Sequence, residues 1–265
     1  MSGLPPPWSG FNRYATRLPS DVSEAAAAGA LVMLAALPPS SLRDAVLACP
    51  EEPGPWLRAD GPTWPAALLG LPGGPVALCA EGNLALLDRP AVALVGTRHC
   101  TPTGRSLARD YARAVAAAGG VVVSGLAAGI DTEAHMSARG ATIAVLGQGL
   151  GVTMPAWQAG VRRRLLAEGG LVLTEYPMQF PAAAWTFPRR NRIIAGLARA
   201  VVVIEAGHRS GAKNTAHHAV AYGRELAVVP ALPGIPSFAG CLDLLEEGAA
   251  IVRGPDTIVA LLAAG

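Results

Sequence analysis

Ala91-Val92-Ala93-Leu94-Val95-Gly96 is a short apolar run that ends in glycine, and its pattern is repeated along the chain. Similar runs occur at residues 121–125, 142–147, 171–175, 200–205, 226–229 and 250–252. Continuous apolar runs, unlike alternating ones, indicate strands that are covered on both faces. Helical segments are predicted between them, at residues 103–118, 131–139, 157–168, 190–197 and 211–222. This alternation of strands and helices predicts an α/β fold with a doubly wound, mostly parallel sheet.

The segment before these runs differs in composition, because it is rich in Pro, Ala and Gly. Residues 1–60 are predicted to form a small helical appendage and a Pro-rich linker, with helices at residues 22–37 and 41–47. Residues 61–265 are predicted to form the α/β domain. Apolar residues make up 51% of the chain and charged residues only 15%, so a sizeable buried core is easy to build.

The cysteines and the N-terminal sequence bear on the cellular compartment. Cys49, Cys79, Cys100 and Cys241 are scattered, without the spacing of a zinc site or of a disulfide framework. Reduced, mostly buried thiols in a cytoplasm fit this scatter best. The N-terminus lacks the pattern of a signal peptide, and the apolar run at residues 25–37 is too short to span a bilayer. We therefore expect a cytoplasmic protein without a metal site and without a membrane contact.

The distribution of charge along the chain indicates more about possible partners than the formal net charge of +2 does. Residues 98–224 contain 15 basic and six acidic side chains, whereas the rest of the chain contains six basic and 13 acidic ones. A basic middle between acidic flanks is typical of a protein that meets a polyanion.

Small and cationic residues follow several of the predicted strands, where a parallel sheet holds its ligands. The loops at residues 96–105, 124–131 and 210–216 combine glycines, hydroxyls and cations with the starts of helices, whose free N–H groups attract anions. Several such loops in a row suit a chain of phosphates better than a single mononucleotide. The candidate DNA-binding residues in these loops are Gly96, Thr97, Arg98, Ser124, Gly125, Gly129, Ser210, Gly211 and Lys213.

The stretch Phe187-Pro188-Arg189-Arg190-Asn191-Arg192 is a dense cluster of arginines that opens into an apolar helix. Closely spaced guanidinium groups repel one another, so an anion such as phosphate is their expected partner. Tyr176, Phe180 and Trp185 lie just upstream, and rings beside arginines are typical of surfaces that stack the bases of a nucleic-acid strand. The alternative is a helix start whose arginines are only solvated or paired with Asp and Glu. The candidate contacts here are Phe187, Arg189, Arg190, Asn191 and Arg192.

The sequence carries only weak signals of catalysis. His135 lies alone on a predicted helix without a nucleophile beside it, which favours a structural role. Residues 147–151 are similar to a dinucleotide loop, but their glycine spacing and the missing acidic residue argue against such a cofactor. We therefore predict no catalytic residue, no cofactor and no enzyme activity. A Rossmann-like nucleotide-binding enzyme or sensor of the phosphoribohydrolase type stays as the alternative, with Glu175 or Glu205 as its acid in principle.

Taken together and in this order, these stretches resemble the DNA-processing protein A family (DprA, also called Smf). The matching residues are 95–98, 124–131, 134–135, 143–150, 175–177, 187–196, 210–211 and 215–216. Each motif is modest by itself, but their joint order is highly specific. By position, Arg98 resembles the arginine with which the family grips phosphate, and residues 187–192 resemble its second DNA-contacting stretch.

The resemblance implies an extended Rossmann-like fold that binds single-stranded DNA without cutting it. It also implies protection of incoming strands, loading of the RecA recombinase during natural transformation, and a homodimer. Residues 241–252 are a candidate dimer interface, although Leu242, Leu244 and Leu245 in this segment are equally compatible with the core.

Overall fold

The structure, a computed structural model, describes residues 56–58, 62–75 and 77–263. Its strands form one nine-stranded sheet. They are β1 (Trp56–Arg58), β2 (Ala77–Gly82), β3 (Ala91–Gly96), β4 (Val121–Ser124), β5 (Thr142–Leu146), β6 (Leu171–Thr174), β7 (Ala200–Glu205), β8 (Glu225–Val228) and β9 (Ala250–Ile251). The predicted helices at residues 22–37 and 41–47 lie outside the described residues.

The helices alternate with these strands. They are α1 (Pro102–Ala117), α2 (Ile130–Ser137), α3 (Ala156–Ala167), α4 (Thr186–Leu197), α5 (Ala212–Ala221), α6 (Ala239–Glu246) and α7 (Pro255–Ala263). None of the helices in the described ranges is both long and apolar enough to cross a membrane.

The strand order is β1-β2-β6-β5-β4-β3-β7-β8-β9. Within the seven strands from β6 to β9 in this order, all neighbours pair in parallel. In contrast, β2 pairs with both β1 and β6 in antiparallel fashion. The prediction of a doubly wound, mostly parallel α/β sheet is therefore confirmed, and the fold is Rossmann-like. The two antiparallel strands were not predicted, and β1 precedes the predicted domain boundary at residue 61.

Helices cover both faces of the sheet. Helix α1 packs against α2 and α7, while α4 packs against α5. The strand order reverses at β3, which lies between β4 and β7, so the helices that follow β3 and β7 leave toward opposite faces. Such a reversal opens a crevice at the carboxyl ends of the strands, where ligands of doubly wound sheets bind.

The central strands are buried along their length because both faces are covered. Every residue of β4, β5 and β7 is buried, as continuous apolar runs require. Cys79, Cys100 and Cys241 are buried, and burial raises the pKa of Cys241 to about 11. Cys49 lies outside the described residues.

Candidate nucleic-acid interface

A cleft of about 620 Å³ opens at the reversal point of the sheet. Three segments build it: the loop after β3, the first turns of α4, and the loop between β7 and α5, with part of the loop after β4 on its floor. The cleft is lined by Val95, Gly96, Thr97, Arg98, His99, Ala127, Asp131, Ala184, Phe187, Pro188, Arg190, Asn191, Ile194, Arg209, Ser210, Gly211, Ala212 and Thr215.

Two exposed arginines stand at this cleft. The Arg98 guanidinium lies over the ring of Phe187, with its central carbon 5.6 Å from the ring centroid, a cation–π contact. Arg209 comes from the loop after β7. In the part of the chain that the structure describes, neither side chain forms an ion pair with an acid. Arg209 was absent from the sequence-based candidates, although it directly precedes two of them, Ser210 and Gly211.

Two glycines fix the position of the loop that carries Arg98. Gly129 has a φ of +79°, and a Cβ there would collide with the carbonyl oxygens of Thr97 and Arg98. A Cβ on Gly96 would collide with the side chain of Ile130. Gly96 lines the cleft, whereas Gly129 shapes it by letting the Arg98 loop pack closely against the start of α2.

The N-terminus of α1 is already filled by an internal carboxylate. The buried side chain of Glu205, at the end of β7, accepts hydrogen bonds from the backbone N–H of Thr101 at 2.9 Å and from its hydroxyl at 2.9 Å. A Cβ on Gly104 would collide with the same carboxylate. An internal carboxylate therefore lies at the helix start at which the sequence predicted an external anion.

The backbone N–H groups of the loop after β4 are also bound by an internal carboxylate. Asp131 accepts hydrogen bonds from the backbone N–H groups of Gly125 at 3.0 Å and Ala127 at 3.4 Å. Burial raises the pKa of Asp131, while the nearby Arg190 lowers it. The buried Ser124 hydroxyl donates to the carbonyl of Leu94 at 2.6 Å. Ser124 and Gly125 therefore bind groups within the protein and are not among the residues that line the cleft, so their contact with DNA stays a prediction.

Arg190 is a buried clamp at the floor of the cleft. Its guanidinium donates to the carbonyl oxygens of Gly125, at 2.7 Å, and Val145, so it joins the carboxyl ends of β4 and β5 to α4. A Cβ on Gly125 would collide with this guanidinium, which explains the glycine. Burial lowers the pKa of Arg190 to about 10.

Arg189 and Arg192 are also buried, and both side chains bind groups inside the protein. Glu175, with none of its surface exposed, receives two hydrogen bonds from Arg192, at 2.7 and 2.6 Å, and lies 3.4 Å from the Arg189 guanidinium. Arg192 also donates to the carbonyl of Gly73. Both residues were predicted DNA contacts, and the structure places both in the interior, paired with Glu175. Helix α4 begins at Thr186, four residues before the predicted start.

Only some of the predicted DNA contacts in and near the loop between β7 and α5 line the cleft. Ser210, Gly211 and Asn191 line the cleft, and the Asn191 amide donates to the Gly211 carbonyl at 3.3 Å. Lys213 does not line it, because its ammonium group donates to the Asp243 carboxylate at 2.6 Å. Hydrogen bonds from Lys213 and His208 lower the pKa of Asp243. Lys213 therefore forms an ion pair with α6, and its contact with DNA stays a prediction.

In the loop at residues 147–151, the N–H groups of Gly149 and Gly151 bind carbonyl oxygens of the protein. The N–H of Gly149 donates to the carbonyl of Phe180 at 2.9 Å, and that of Gly151 donates to Met178 at 2.8 Å. A Cβ on Gly149 would collide with the carbonyl of Pro177. These glycines therefore allow close packing of two loops, which accounts for their likeness to a dinucleotide motif.

His135 is a structural hydrogen-bonding residue, as its sequence context predicted. Its Nε2 accepts from the backbone N–H of Leu126 at 3.3 Å, and its Nδ1 lies 2.7 Å from the Thr142 hydroxyl. That hydroxyl donates to the Val122 carbonyl, so Nδ1 carries the ring proton. Burial, together with the charge of Arg190, lowers the pKa of His135 to about 3.

The acids of the alternative enzyme are not placed for catalysis. The carboxylates of Glu175 and Glu205 are buried and engaged by the partners described above, and neither residue lines the cleft. Within the described ranges, no three His, Cys, Asp or Glu side chains are grouped so that they hold a metal ion.

Residues 56–263 match the model of a family described as DNA recombination-mediator protein A. Protein Smf from Escherichia coli (strain K12) is 39% identical over 206 residues, which are 77% of this chain and 55% of that protein. DNA processing protein DprA from Streptococcus pneumoniae is 41% identical over 196 residues, 70% of this chain and 66% of that protein. The chain spans about half the length of the Smf proteins that it matches.

Two solved structures share the fold. The X-ray structure of DNA processing protein A from Streptococcus pneumoniae superposes with a TM-score of 0.77 at 31% identity, covering 96% of this chain and 92% of that one. DNA processing protein A from Helicobacter pylori, whose structure is described as revealing a unique single-stranded DNA binding mode, gives a TM-score of 0.72 at 30% identity. It covers 79% of this chain and 96% of that one.

Proposed function

This chain belongs to the DNA recombination-mediator protein A family, and from that premise we propose that it binds single-stranded DNA in the cleft at the reversal point of its sheet. In this proposal it protects incoming strands in the cytoplasm and loads the RecA recombinase onto them during natural transformation. It does so as a homodimer and without cutting the DNA.

One observation carries the DNA-binding proposal. Arg98 and Arg209 come from two separate loops and stand exposed at one cleft, with the ring of Phe187 beside the first of them. Guanidinium groups that lack an acidic partner are free to form bidentate contacts with phosphate. A ring next to such a cation suits a strand whose unpaired bases accompany its phosphates.

We propose a protein without enzyme activity because its buried acidic side chains bind groups within the protein. Asp131, Glu175 and Glu205 are buried, and each is bound to internal donors that hold loops or helices together. A general acid or base has to come within hydrogen-bond reach of the atom it serves. Of the three, only Asp131 borders the cleft, and its carboxylate is occupied by the backbone of its own loop.

The dimer proposal concerns α6. Leu244 is buried in the core, whereas Leu242 and Leu245 are only partly covered. These two side chains and the 49% exposed Ile251 of β9 are therefore the large apolar members of the predicted interface segment that a second copy would contact. Light scattering at two protein concentrations tests this: a mass of one chain at both would contradict it.

Arg98→Ala and Arg209→Ala test the DNA site. We expect each change to weaken binding of several unrelated oligonucleotides alike, because phosphate contacts carry no sequence information. Each lost contact lowers the slope of log affinity against log salt concentration by about 0.7 for a single strand. Fluorescence anisotropy at several salt concentrations measures both quantities.

Arg163→Ala is the matched control, because Arg163 is an exposed arginine on α3 outside the cleft. Equal effects of all three substitutions would contradict the assignment of the cleft. Release of free base from nucleoside monophosphates incubated with the protein would favour the phosphoribohydrolase alternative.

A further inference from the structure

Three aromatic rings form a small cluster between β6 and the start of α4. Tyr176 and Phe180 are stacked, with ring centroids 4.9 Å apart and an angle of 11° between the planes. Trp185 contacts both rings with its centroid 6.0 Å from each, at angles of 73° and 71°. The cluster is graded from core to solvent, because Tyr176 is 0% exposed and Trp185 is 39% exposed.

The indole of Trp185 is partly exposed and contacts the other two rings of the cluster. Its contacts with Tyr176 and Phe180 are of the edge type, so among the described rings none is stacked in parallel on the indole. Two neighbouring rings restrict its rotation, since edge-to-face pairs have a preferred geometry. The result is a large apolar ring that is both anchored and accessible, which is what a base needs as a stacking partner.

Trp185 flanks the proposed DNA cleft. The residue before it, Ala184, and the second residue after it, Phe187, both line the cleft, and Phe187 carries the Arg98 guanidinium. Trp185 is not itself among the residues that line the cleft, but a strand that runs past Ala184 can reach its exposed indole. Of the three rings in the cluster, only Trp185 is exposed enough to receive a base, since Tyr176 is fully covered and Phe180 is partly covered.

We propose that Trp185 is a base-stacking platform at the mouth of the cleft, which takes an unpaired base of any sequence. This inference rests on the proposed function, because it presupposes a single strand in the cleft. The anchored rings of Tyr176 and Phe180 act as positioning residues that keep the indole in place. Stacking uses the π-face that every base has, so it discriminates single strands from duplexes and not one sequence from another.

Two ligands separate stacking from charge. One is oligothymidylate, and the other is an abasic oligomer of equal length, which has the same phosphates and no bases. Trp185→Ala is expected to weaken binding of oligothymidylate by about 5- to 100-fold and to leave binding of the abasic oligomer unchanged. Arg98→Ala is expected to weaken both.

Trp157→Ala is the matched control, because Trp157 is a 48% exposed tryptophan at the start of α3, a helix that contributes no residue to the cleft lining. It should leave both affinities unchanged. Equal weakening of both ligands by Trp185→Ala, or no weakening of either, overturns the inference. Failure of Arg98→Ala to weaken either ligand counts against the proposed function instead, so the two failures are distinguishable.

Fluorescence provides a second readout that does not depend on the alanine variant being folded. Stacking on a base quenches an indole, so emission should fall when oligothymidylate saturates the protein. The fall should be absent in Trp185→Phe and preserved in Trp157→Phe. Phenylalanine keeps a π-face, so Trp185→Phe should also retain most of the affinity that alanine loses. Undiminished quenching in Trp185→Phe overturns the inference.

Discussion

The Glu175 carboxylate lies between the guanidinium groups of Arg189 and Arg192, without contact with solvent. Two positive charges and one negative charge in the interior are tolerated only while all three remain hydrogen-bonded. This arrangement explains why a helix with three arginines in four positions has only one of them, Arg190, at the cleft. At the residue scale, the main role of Arg189, Arg190 and Arg192 is therefore to stabilise the folded protein.

Arg192→Ala should destabilise the protein by about 3–5 kcal/mol, because it leaves the buried carboxylate of Glu175 without its bidentate partner. Urea unfolding monitored by circular dichroism measures the loss. DNA affinity of the protein that stays folded should be close to that of the parent. A stable variant with greatly reduced DNA affinity would contradict the structural role of Arg192 and restore it as a contact.

At the scale of the elements, the sequence predicted strands better than it predicted the surroundings of charged residues. Strand β3 has the predicted bounds, since an apolar run between two polar segments leaves little choice of register. Strand β2 was missed because its apolar run, residues 77–80, follows a segment rich in proline. Its antiparallel pairing with β6 is a long-range contact that no local pattern encodes.

The loops were located correctly, but their internal carboxylates were not foreseen. Glu205 caps α1 across a separation of 104 residues, and Asp131 closes the loop after β4. A helix start with free N–H groups looks the same in sequence whether its anion is a ligand or a distant carboxylate. For this reason the sequence alone could not show that internal carboxylates occupy two of the predicted anion sites.

Gly125→Ala tests the contact between the loop after β4 and α4. The added methyl group would collide with the Arg190 guanidinium, which two carbonyl groups hold in place. We expect a loss of about 1–3 kcal/mol in the free energy of unfolding, with weaker DNA binding because the floor of the cleft moves. Thermal unfolding and anisotropy measure the two effects.

Gly160→Ala is the matched control, because a Cβ at this position of α3 meets no atom within 4 Å. It should leave DNA binding unchanged and raise stability by up to about 1 kcal/mol, the gain in helix propensity from Gly to Ala. Similar destabilisation by both substitutions would show that the Arg190 contact is unimportant.

At the scale of the whole molecule, stability should fall in mild acid because of His135. Its pKa is about 3 in the folded protein, against the ordinary histidine value of 6.5 that applies to the unfolded chain. Between these values the unfolded chain binds a proton that the folded protein does not. The free energy of unfolding therefore decreases as pH falls from about 6.5 toward 3, by at most about 1.4 kcal/mol per pH unit.

His135→Gln should flatten this dependence. Asp131 has a raised pKa and contributes with the opposite sign, but it is present in both proteins, so the difference between them isolates the histidine. Urea unfolding at several pH values between about 4 and 7 gives the comparison. Parallel stability profiles for the two proteins would contradict the assignment of a neutral, buried ring.

Arginine is nearly the only basic residue of this protein, with 20 copies against the single lysine, Lys213. Acetylation, methylation and ubiquitination act on the lysine amine, and Lys213 is held by Asp243 outside the cleft. Enzymes that modify lysine amines therefore do not act on Arg98 or Arg209. The guanidinium groups of these two residues stay charged at any physiological pH. Modification of a lysine amine therefore cannot change the charge of the proposed DNA cleft.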